Sequence, residues 1–371
     1  MESHRILIAD DQAPIVEALQ LLLKTEGFVT ETVNSPAAVL EAIQGGNFDL
    51  LLLDMNYARD TTSGNEGLEL LARIREVDTA VPVVFMTAWG TIDLAVEAMR
   101  DGGRDFVQKP WDNAKLLGSL RRQIEEGRVL REKKQEIAEA REIQRRLLPD
   151  EIPEISGCDI QAFWKPAKDV GGDYFDAIRL TDDMAAFCIA DVAGKGVPAA
   201  LLMCTMQASV RGFAHETFNP ATICRNLNRV ALENTRSERF TTFFYGVLDS
   251  TRRSLCYCNA GHVPPILIRQ DGTIKRLSEG GTILGVFPDV QYEQSQTAFA
   301  SGDRLVLITD GITEAMNDQN EEFGEDRLID LLLQYRHMGA AELHKTVIDA
   351  VASFARQALQ DDATLMIVAM H

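Results

Sequence analysis

The sequence predicts an α/β protein in two folded parts, a doubly wound sheet in the first third and a largely antiparallel α/β region after residue 150. Three observations carry this. Short, wholly apolar runs alternate with amphipathic stretches up to about residue 112. A charge-rich segment without proline follows. Beyond it, strand-like runs are joined by tight-turn signals. A length of 371 residues exceeds what one core ordinarily serves, and 46% apolar with 25% charged residues is the mix of folded domains.

In the first part, residues 6–9, 50–53 and 83–86 are apolar throughout and end at Asp10, Asp54 and Thr87. Such runs suit parallel strands buried on both faces. A further run, 105–108, ends at Lys109-Pro110. Ile15, Ala18, Leu19 and Leu22 recur at helical spacing, as do Ile92, Ala95, Val96 and Met99. Strand–helix alternation gives a doubly wound sheet, with chemistry at the carboxyl ends of its strands.

Residues 113–148 predict one long helix. Between Arg121 and Arg146, 15 of 26 residues are charged, with Gly127 the one glycine. Such a helix extends about 50 Å at about 1.5 Å per residue. Leu130, Ile137, Ala140, Gln144 and Leu147 form a broken heptad seam, read either as a solvated spacer or as a dimer-forming coiled coil. Pro149 and Pro153 end the helix.

In the second part, strands are expected at 187–190, 243–248, 254–258, 266–269, 305–308 and 363–369. Helices are expected at 197–215, 221–234, 325–335 and 341–359. Gln270-Asp271-Gly272 and residues 250–252 are turn signals, so much of this sheet should be antiparallel.

Composition narrows function. Asp and Glu exceed Lys and Arg by 56 to 37, a net charge of −19, which disfavours nucleic acid and anionic membranes as partners. The six cysteines show no CxxC spacing, so reduced thiols in a cytoplasmic protein are expected rather than a structural zinc site. The start of the chain is polar and no apolar run approaches about 18 residues, so neither a signal peptide nor a membrane span is expected.

Carboxylates placed at several strand ends repel one another unless a hard cation sits among them, and an aspartate can itself accept a phosphoryl group. Ala9-Asp10-Asp11, Leu53-Asp54, Met86-Thr87-Ala88 and Val107-Gln108-Lys109-Pro110 follow in order, each at an expected strand end. Residues 3–125 thereby resemble the receiver domain of two-component response regulators, a flavodoxin-like fold. The resemblance implies that Asp54 is the phosphoacceptor for a sensor histidine kinase. Asp10, Asp11, Asp54 and the carbonyl of Asn56 would hold Mg²⁺. Thr87 and Lys109 would sense the phosphoryl group, with Phe106 as the aromatic switch and a cis Lys109–Pro110 bond. The loop from Met55 to Glu66 is about five residues longer than usual for that family and lacks its proline.

The second part scatters more acids. Asp173 lies in Val170-Gly171-Gly172-Asp173-Tyr174-Phe175-Asp176, and Asp191 in Ala190-Asp191-Val192-Ala193-Gly194-Lys195-Gly196. Asp310 lies in Thr309-Asp310-Gly311-Ile312-Thr313-Glu314, and Asp361-Asp362 precede Ala363. Singly, each reads as a cap or turn residue. Together, at one sheet edge, oxygen-only ligands favour Mg²⁺ or Mn²⁺, and two such ions can activate water against a phosphate ester. With Glu142-Ile143-Gln144-Arg145-Arg146-Leu147-Leu148-Pro149, Asn259-Ala260-Gly261-His262 and Phe323-Gly324, residues 140–370 resemble the PPM-type, protein phosphatase 2C-like Ser/Thr phosphatases of the bacterial sporulation and stress-response branch.

That resemblance implies an α–β–β–α sandwich holding two Mn²⁺ or Mg²⁺. Asp191 would bridge the ions, the Val192 carbonyl would contribute beside it, and Asp310, Asp361 and Asp173 would complete the set. Asp361 is preferred to Asp362 because the first residue of the pair aligns with the family's ligand. His262 reads as structural, Lys195 as a surface charge, and Cys256 and Cys258 as packing residues. Gly171-Gly172-Asp173-Tyr174-Phe175 also looks like a diguanylate cyclase loop, but Tyr174 stands where that family has an acid.

The expected organisation is a receiver over 1–125, a linker helix or coiled coil over 113–148, and a phosphatase over 149–371. The expected function is a kinase-controlled phosphatase, homodimeric, acting on a phospho-Ser/Thr protein such as an anti-anti-sigma factor. Phosphorylation would repack the receiver face near Ala95 to Lys109, and Thr241-Thr242-Phe243-Phe244 would border the helices that gate metal binding. The alternative is a receiver-controlled adaptor whose phosphatase domain is degenerate. A DNA-binding regulator would need a basic recognition helix, which is missing from the sequence.

Overall fold

The computed structural model describes residues 3–57, 65–87, 98–149, 151–234, 239–355 and 359–371. The chain divides into two compact units, Met1–Glu136 and Ile137–His371.

The first unit holds β1 (Arg5–Ala9), α1 (Ala13–Thr25), β2 (Val29–Val33), α2 (Pro36–Gly45), β3 (Leu50–Asp54), α3 (Asn65–Val77), β4 (Val83–Thr87) and β5 (Asp105–Gln108). It also holds the first part of α4 (Asn113–Leu147). All neighbouring strands pair parallel, in the order β2-β1-β3-β4-β5. The wholly apolar strands are explained by two buried faces. Leu7, Ala9, Leu51, Leu53, Val83 and Phe85 pack on α2 and α3. Ile6, Ile8, Leu50, Leu52, Val84 and Met86 pack on α1 and on Leu116, Leu120 and Ile124 of α4. Ser35 starts α2, its hydroxyl accepting from the Ala38 N–H at 3.3 Å, with Pro36 in the first turn. The helical repeat expected through Ile92, Ala95 and Val96 lies outside the described residues, as does Ala88.

Helix α4 stays on the first unit well past its core contacts. The Arg131 guanidinium donates to the Phe48 carbonyl at 2.5 Å, and Lys134 reaches the Thr79 hydroxyl. Gly127 passes Pro82 so closely that a Cβ there would stand 2.8 Å from the ring. This explains the break in apolar phase at Gly127.

The second unit has two sheets. The first comprises β7 (Tyr174–Arg179), β8 (Met184–Val192), β9 (Thr241–Asp249), β10 (Ser254–Ala260), β13 (Gly280–Gly281) and β14 (Ser295–Ala298). The second runs β12 (Ile274–Arg276), β11 (Ile266–Ile268), β15 (Arg304–Ile308), β16 (Ala363–Met370), β6 (Cys158–Lys165). Helices α5 (Val197–Ala214) and α6 (Pro220–Asn234) share a core with the first sheet and with Leu305, Leu307, Met366 and Val368 of the second. On the far side Val306, Ile308, Leu365 and Ile367 pack on α8 (Glu325–Gln334) and α9 (Ala340–Phe354). The layers are therefore α–β–β–α, and the apolar run of β16 again reflects two covered faces. The Gln270-Asp271-Gly272 signal makes the β11–β12 hairpin, with Gly272 at φ +90°. The one-turn helix α7 (Asp310–Thr313) follows β15 directly.

Gln144, read from sequence as a seam position, is buried. Its side-chain amide donates to the Gly171 carbonyl at 2.7 Å and accepts from the Gly171 N–H at 3.1 Å. Leu148 enters the core of the second unit. No helix among the described residues is long and apolar enough to cross a membrane.

Candidate functional site

In the first unit, parallel pairing brings the ends of β1, β3, β4 and β5 together. Carboxylate oxygens of Asp10, Asp11 and Asp54 come within 4.8 Å of one another. Asp10 and Asp54 are buried and Asp11 is exposed. The Lys109 ammonium lies 2.7 Å from Asp10 and 3.0 Å from Asp54, and the Gln12 N–H donates to Asp10 at 2.9 Å. Burial pushes the Asp54 carboxyl up, opposed by Lys109 and reinforced by Asp10. Three acids drawn this close suit a small hard cation, and Asn56 stands two residues beyond Asp54. Thr87 is buried at the end of β4, and its carbonyl accepts the Lys109 N–H at 2.7 Å. Phe106 is 43% exposed on β5, and the Lys109–Pro110 bond is cis. Tyr57 is buried under the site, its hydroxyl donating to the Ala9 carbonyl at 3.4 Å. Residues 58–64 of the long loop lie outside the described residues.

In the second unit, antiparallel pairing puts the acids at one end of both sheets. Asp173 precedes β7, Asp191 ends β8, Asp310 follows β15 and Asp361 precedes β16. Asp173 is buried between the sheets. One of its oxygens accepts the Thr309 hydroxyl at 2.7 Å and the Thr364 hydroxyl at 2.6 Å. Thr309 and Thr364 are held in turn, the Thr364 N–H donating to the Thr309 hydroxyl at 2.8 Å. Burial pushes Asp173 well above the usual carboxylate range, with Asp191 adding to it. Asp191 is pushed up to about 7, by burial first, then by Asp310, Asp361 and Asp362, with Lys195 opposing. Asp310 rises through burial and Asp361.

These acids are not drawn into so tight a set as the first-unit trio. Two ions about 3.5–4 Å apart span a wider frame than one. Mutual crowding and oxygen-only donors fit hard divalent cations. The Val192 carbonyl, next along β8 from Asp191, faces Gly172. A Cβ on Gly172 would stand 2.7 Å from its oxygen, so only glycine permits the approach.

The adjacent acids Asp361 and Asp362 differ sharply. Asp362 is buried and its two oxygens accept the N–H groups of Ala167 at 2.7 Å and Gly172 at 2.6 Å. Asp361 is a third exposed and pairs with Lys195 at 2.7 Å. Lys195, expected as a plain surface charge, also donates to the Gln360 carbonyl at 2.6 Å. His262 is buried, its ring nitrogens 2.8 Å from the Thr242 hydroxyl and 3.0 Å from the Ile308 carbonyl. Burial lowers it to about 4, which keeps it neutral. Among the described residues all six cysteines are free.

Residues 181–371 match the family model for stage II sporulation protein E, and residues 6–121 match the response regulator receiver domain. The chain belongs to the stage II sporulation protein E (SpoIIE) family. It is 32% identical to the phosphoserine phosphatase RsbU of Bacillus subtilis over 65% of this chain and 71% of RsbU. It is 31% identical to protein IcfG of Synechocystis over 53% of this chain, spanning only 35% of that longer protein. The SiaA PP2C domain of Pseudomonas aeruginosa shares the fold, with a TM-score of 0.58 and 22% identity, over 66% of this chain and 99% of that domain.

The protein is thus a receiver joined to a SpoIIE-type Ser/Thr phosphatase domain, in a family that depends on metal ions. Three features of this SpoIIE-type domain had no signal in the sequence. They are the two threonines on Asp173, the paired acceptor role of Asp362 and the Gln144 amide on Gly171. Each rests on contacts between residues more than twenty positions apart.

Proposed function

We propose that the protein is a two-component response regulator whose output is dephosphorylation of a phosphoserine or phosphothreonine protein. The observation that carries this is the placement of Asp173, Asp191, Asp310 and Asp361 at one end of both sheets in a chain that also bears a receiver acid triad. In the receiver, proposed over 1–125, Asp54 accepts a phosphoryl group from a sensor histidine kinase. Asp10, Asp11, Asp54 and the Asn56 carbonyl hold Mg²⁺. Lys109 and Thr87 meet the new phosphoryl oxygens, and Phe106 changes rotamer in response. Helix 113–148 carries the change toward the phosphatase domain, proposed over 149–371, in a cytoplasmic homodimer.

In that domain Asp191, the Val192 carbonyl, Asp310, Asp361 and Asp173 would hold two Mn²⁺ or Mg²⁺. The ions would supply an activated water and a clamp on the phosphoryl oxygens. The chain's own part is to hold four carboxylates in a frame whose mutual repulsion only cations relieve. Thr309 and Thr364 fix one oxygen of Asp173 and leave the other to the site. His262, neutral and fully engaged, shapes the turn and transfers no proton.

The similarity to a phosphoserine phosphatase supports a phosphoserine protein as substrate, and the class we propose is a phosphorylated anti-anti-sigma factor. The test is release of phosphate from such a protein with Mn²⁺, with and without a phosphoryl mimic on Asp54. Asp191→Asn is expected to abolish hydrolysis, and a variant as fast as the parent would overturn the metal assignment. A rate indifferent to the mimic would overturn control by Asp54.

A further inference from the structure

The strand pair that carries Asp191 runs on into a loop with an unused cation. Asp191 pairs with Thr242 and Val192 with Thr241. The Ala193 N–H then donates to the Phe240 carbonyl at 2.9 Å. One step further in this register, Gly194 meets Arg239. A Cβ on Gly194, which has φ +104°, would lie 3.4 Å from Arg239 Nη1. Arg239 is half-buried, and its Nη1 is fully buried with no hydrogen-bond partner among the described residues. A guanidinium never sheds its charge, so an orphaned buried N–H is costly unless something anionic completes it.

The next residue, Lys195, reaches back to Asp361 at 2.7 Å. One cation, Lys195, therefore touches the acids, and a second, Arg239, stands beside the glycine that precedes it, in a chain whose net charge is −19. A phosphate monoester entering among crowded carboxylates needs fixed donors to offset their repulsion, and a planar guanidinium is the side chain best shaped for that.

We propose that Arg239, together with Lys195, binds the phosphoryl group of the substrate, the guanidinium donating to a non-bridging oxygen. This rests on the phosphatase reading and names the residues that recognise its phosphate. Arg239 is then a substrate-binding residue and no metal ligand. Gly194, at φ +104°, gives the loop the turn that brings it against the guanidinium.

The test uses the full chain saturated with Mn²⁺, titrated calorimetrically with inorganic phosphate and assayed in parallel on p-nitrophenyl phosphate. Arg239→Ala is expected to weaken phosphate binding and raise KM by about ten- to a hundredfold, the range for a lost hydrogen bond to a charged group. Its kcat should fall less, and its Mn²⁺ affinity and thermal midpoint should match the parent. Arg239→Lys, which keeps the charge but not the fork, should fall between. Lys195→Ala should show a smaller loss of phosphate affinity.

Phosphate affinity within twofold of the parent in Arg239→Ala or Arg239→Lys would overturn the proposal, as would a Mn²⁺-loaded parent that binds no phosphate. The two readings fail separately. A parent that binds phosphate through Arg239 but hydrolyses no ester sinks the phosphatase reading alone. A parent that hydrolyses esters while phosphate ignores Arg239 sinks this one alone.

Discussion

Replacing Gln144 with Ala removes a side chain whose amide satisfies both the N–H and the C=O of Gly171, at 3.1 and 2.7 Å, in a buried setting. Leaving a buried backbone group unpaired costs about 1–3 kcal/mol, and here two are orphaned at once. Some water will enter the space, so a loss of about 3 kcal/mol is expected. For a unit of this size that lowers the midpoint of its thermal transition by roughly 6–12 °C. Gly171 lies two residues before Asp173, so the same change should loosen the acid set and weaken Mn²⁺ binding. Gln144→Glu keeps the acceptor but not the donor and should fall between. The assay is thermal unfolding by calorimetry, with Mn²⁺ titrated into each variant. A Gln144→Ala protein with the parent's midpoint and the parent's Mn²⁺ affinity would refute the claim that this amide holds the Asp173 loop.

Three further outcomes follow from other contacts. Thr364→Val removes the 2.6 Å bond to Asp173 and should weaken Mn²⁺ binding by about tenfold, the lower end for a hydrogen bond to a charged group, as read by calorimetric titration. Gly127→Ala would gain about 1 kcal/mol of helix propensity. The new methyl would meet the rigid Pro82 ring at 2.8 Å, however, so the first unit should lose stability in urea rather than gain it. His262 is held neutral with a pKa of about 4, below its unfolded value. The unfolded chain therefore takes up the proton first as pH falls. Its stabilisation is complete above about pH 6.5 and is lost between there and pH 4, by about 2 kcal/mol at pH 5. The difference in urea stability between the parent and His262→Gln should narrow by that amount from pH 8 to pH 5.

What the sequence made legible depended on how local the cause was. Strands β1, β3, β4 and β16 were readable because burial on both faces makes a strand apolar at every position. Strand β2 was not, because Val-Thr-Glu-Thr-Val lies at a sheet edge with no residue fully buried. Strand β13 has only Gly280 and Gly281, which carry no pattern. The acids of both units stood out since each follows a strand or a glycine turn, and their order matched known families. Asp361 and Asp362 are indistinguishable by spacing. What separates them is the pair of N–H groups from Ala167 and Gly172, brought in by the fold. Gln144 looked like a flaw in a helical seam because periodicity assigns a face but not the neighbour that meets it. Arg239 belonged to no motif, and only its unpaired nitrogen beside Gly194 draws notice to it.

The acids of the second unit are shared between two sheets, Asp173 and Asp191 on one and Asp310 and Asp361 on the other, with Thr309 and Thr364 stitching across. Their spacing is thus a property of the sandwich seam rather than of any one strand. Tightly packed layers tend to shift between discrete arrangements instead of deforming smoothly. A sub-ångström slide along that seam would spread the carboxylates while every strand kept its ladder. A change confined to that seam would thus alter the hold on the ions without unfolding either sheet.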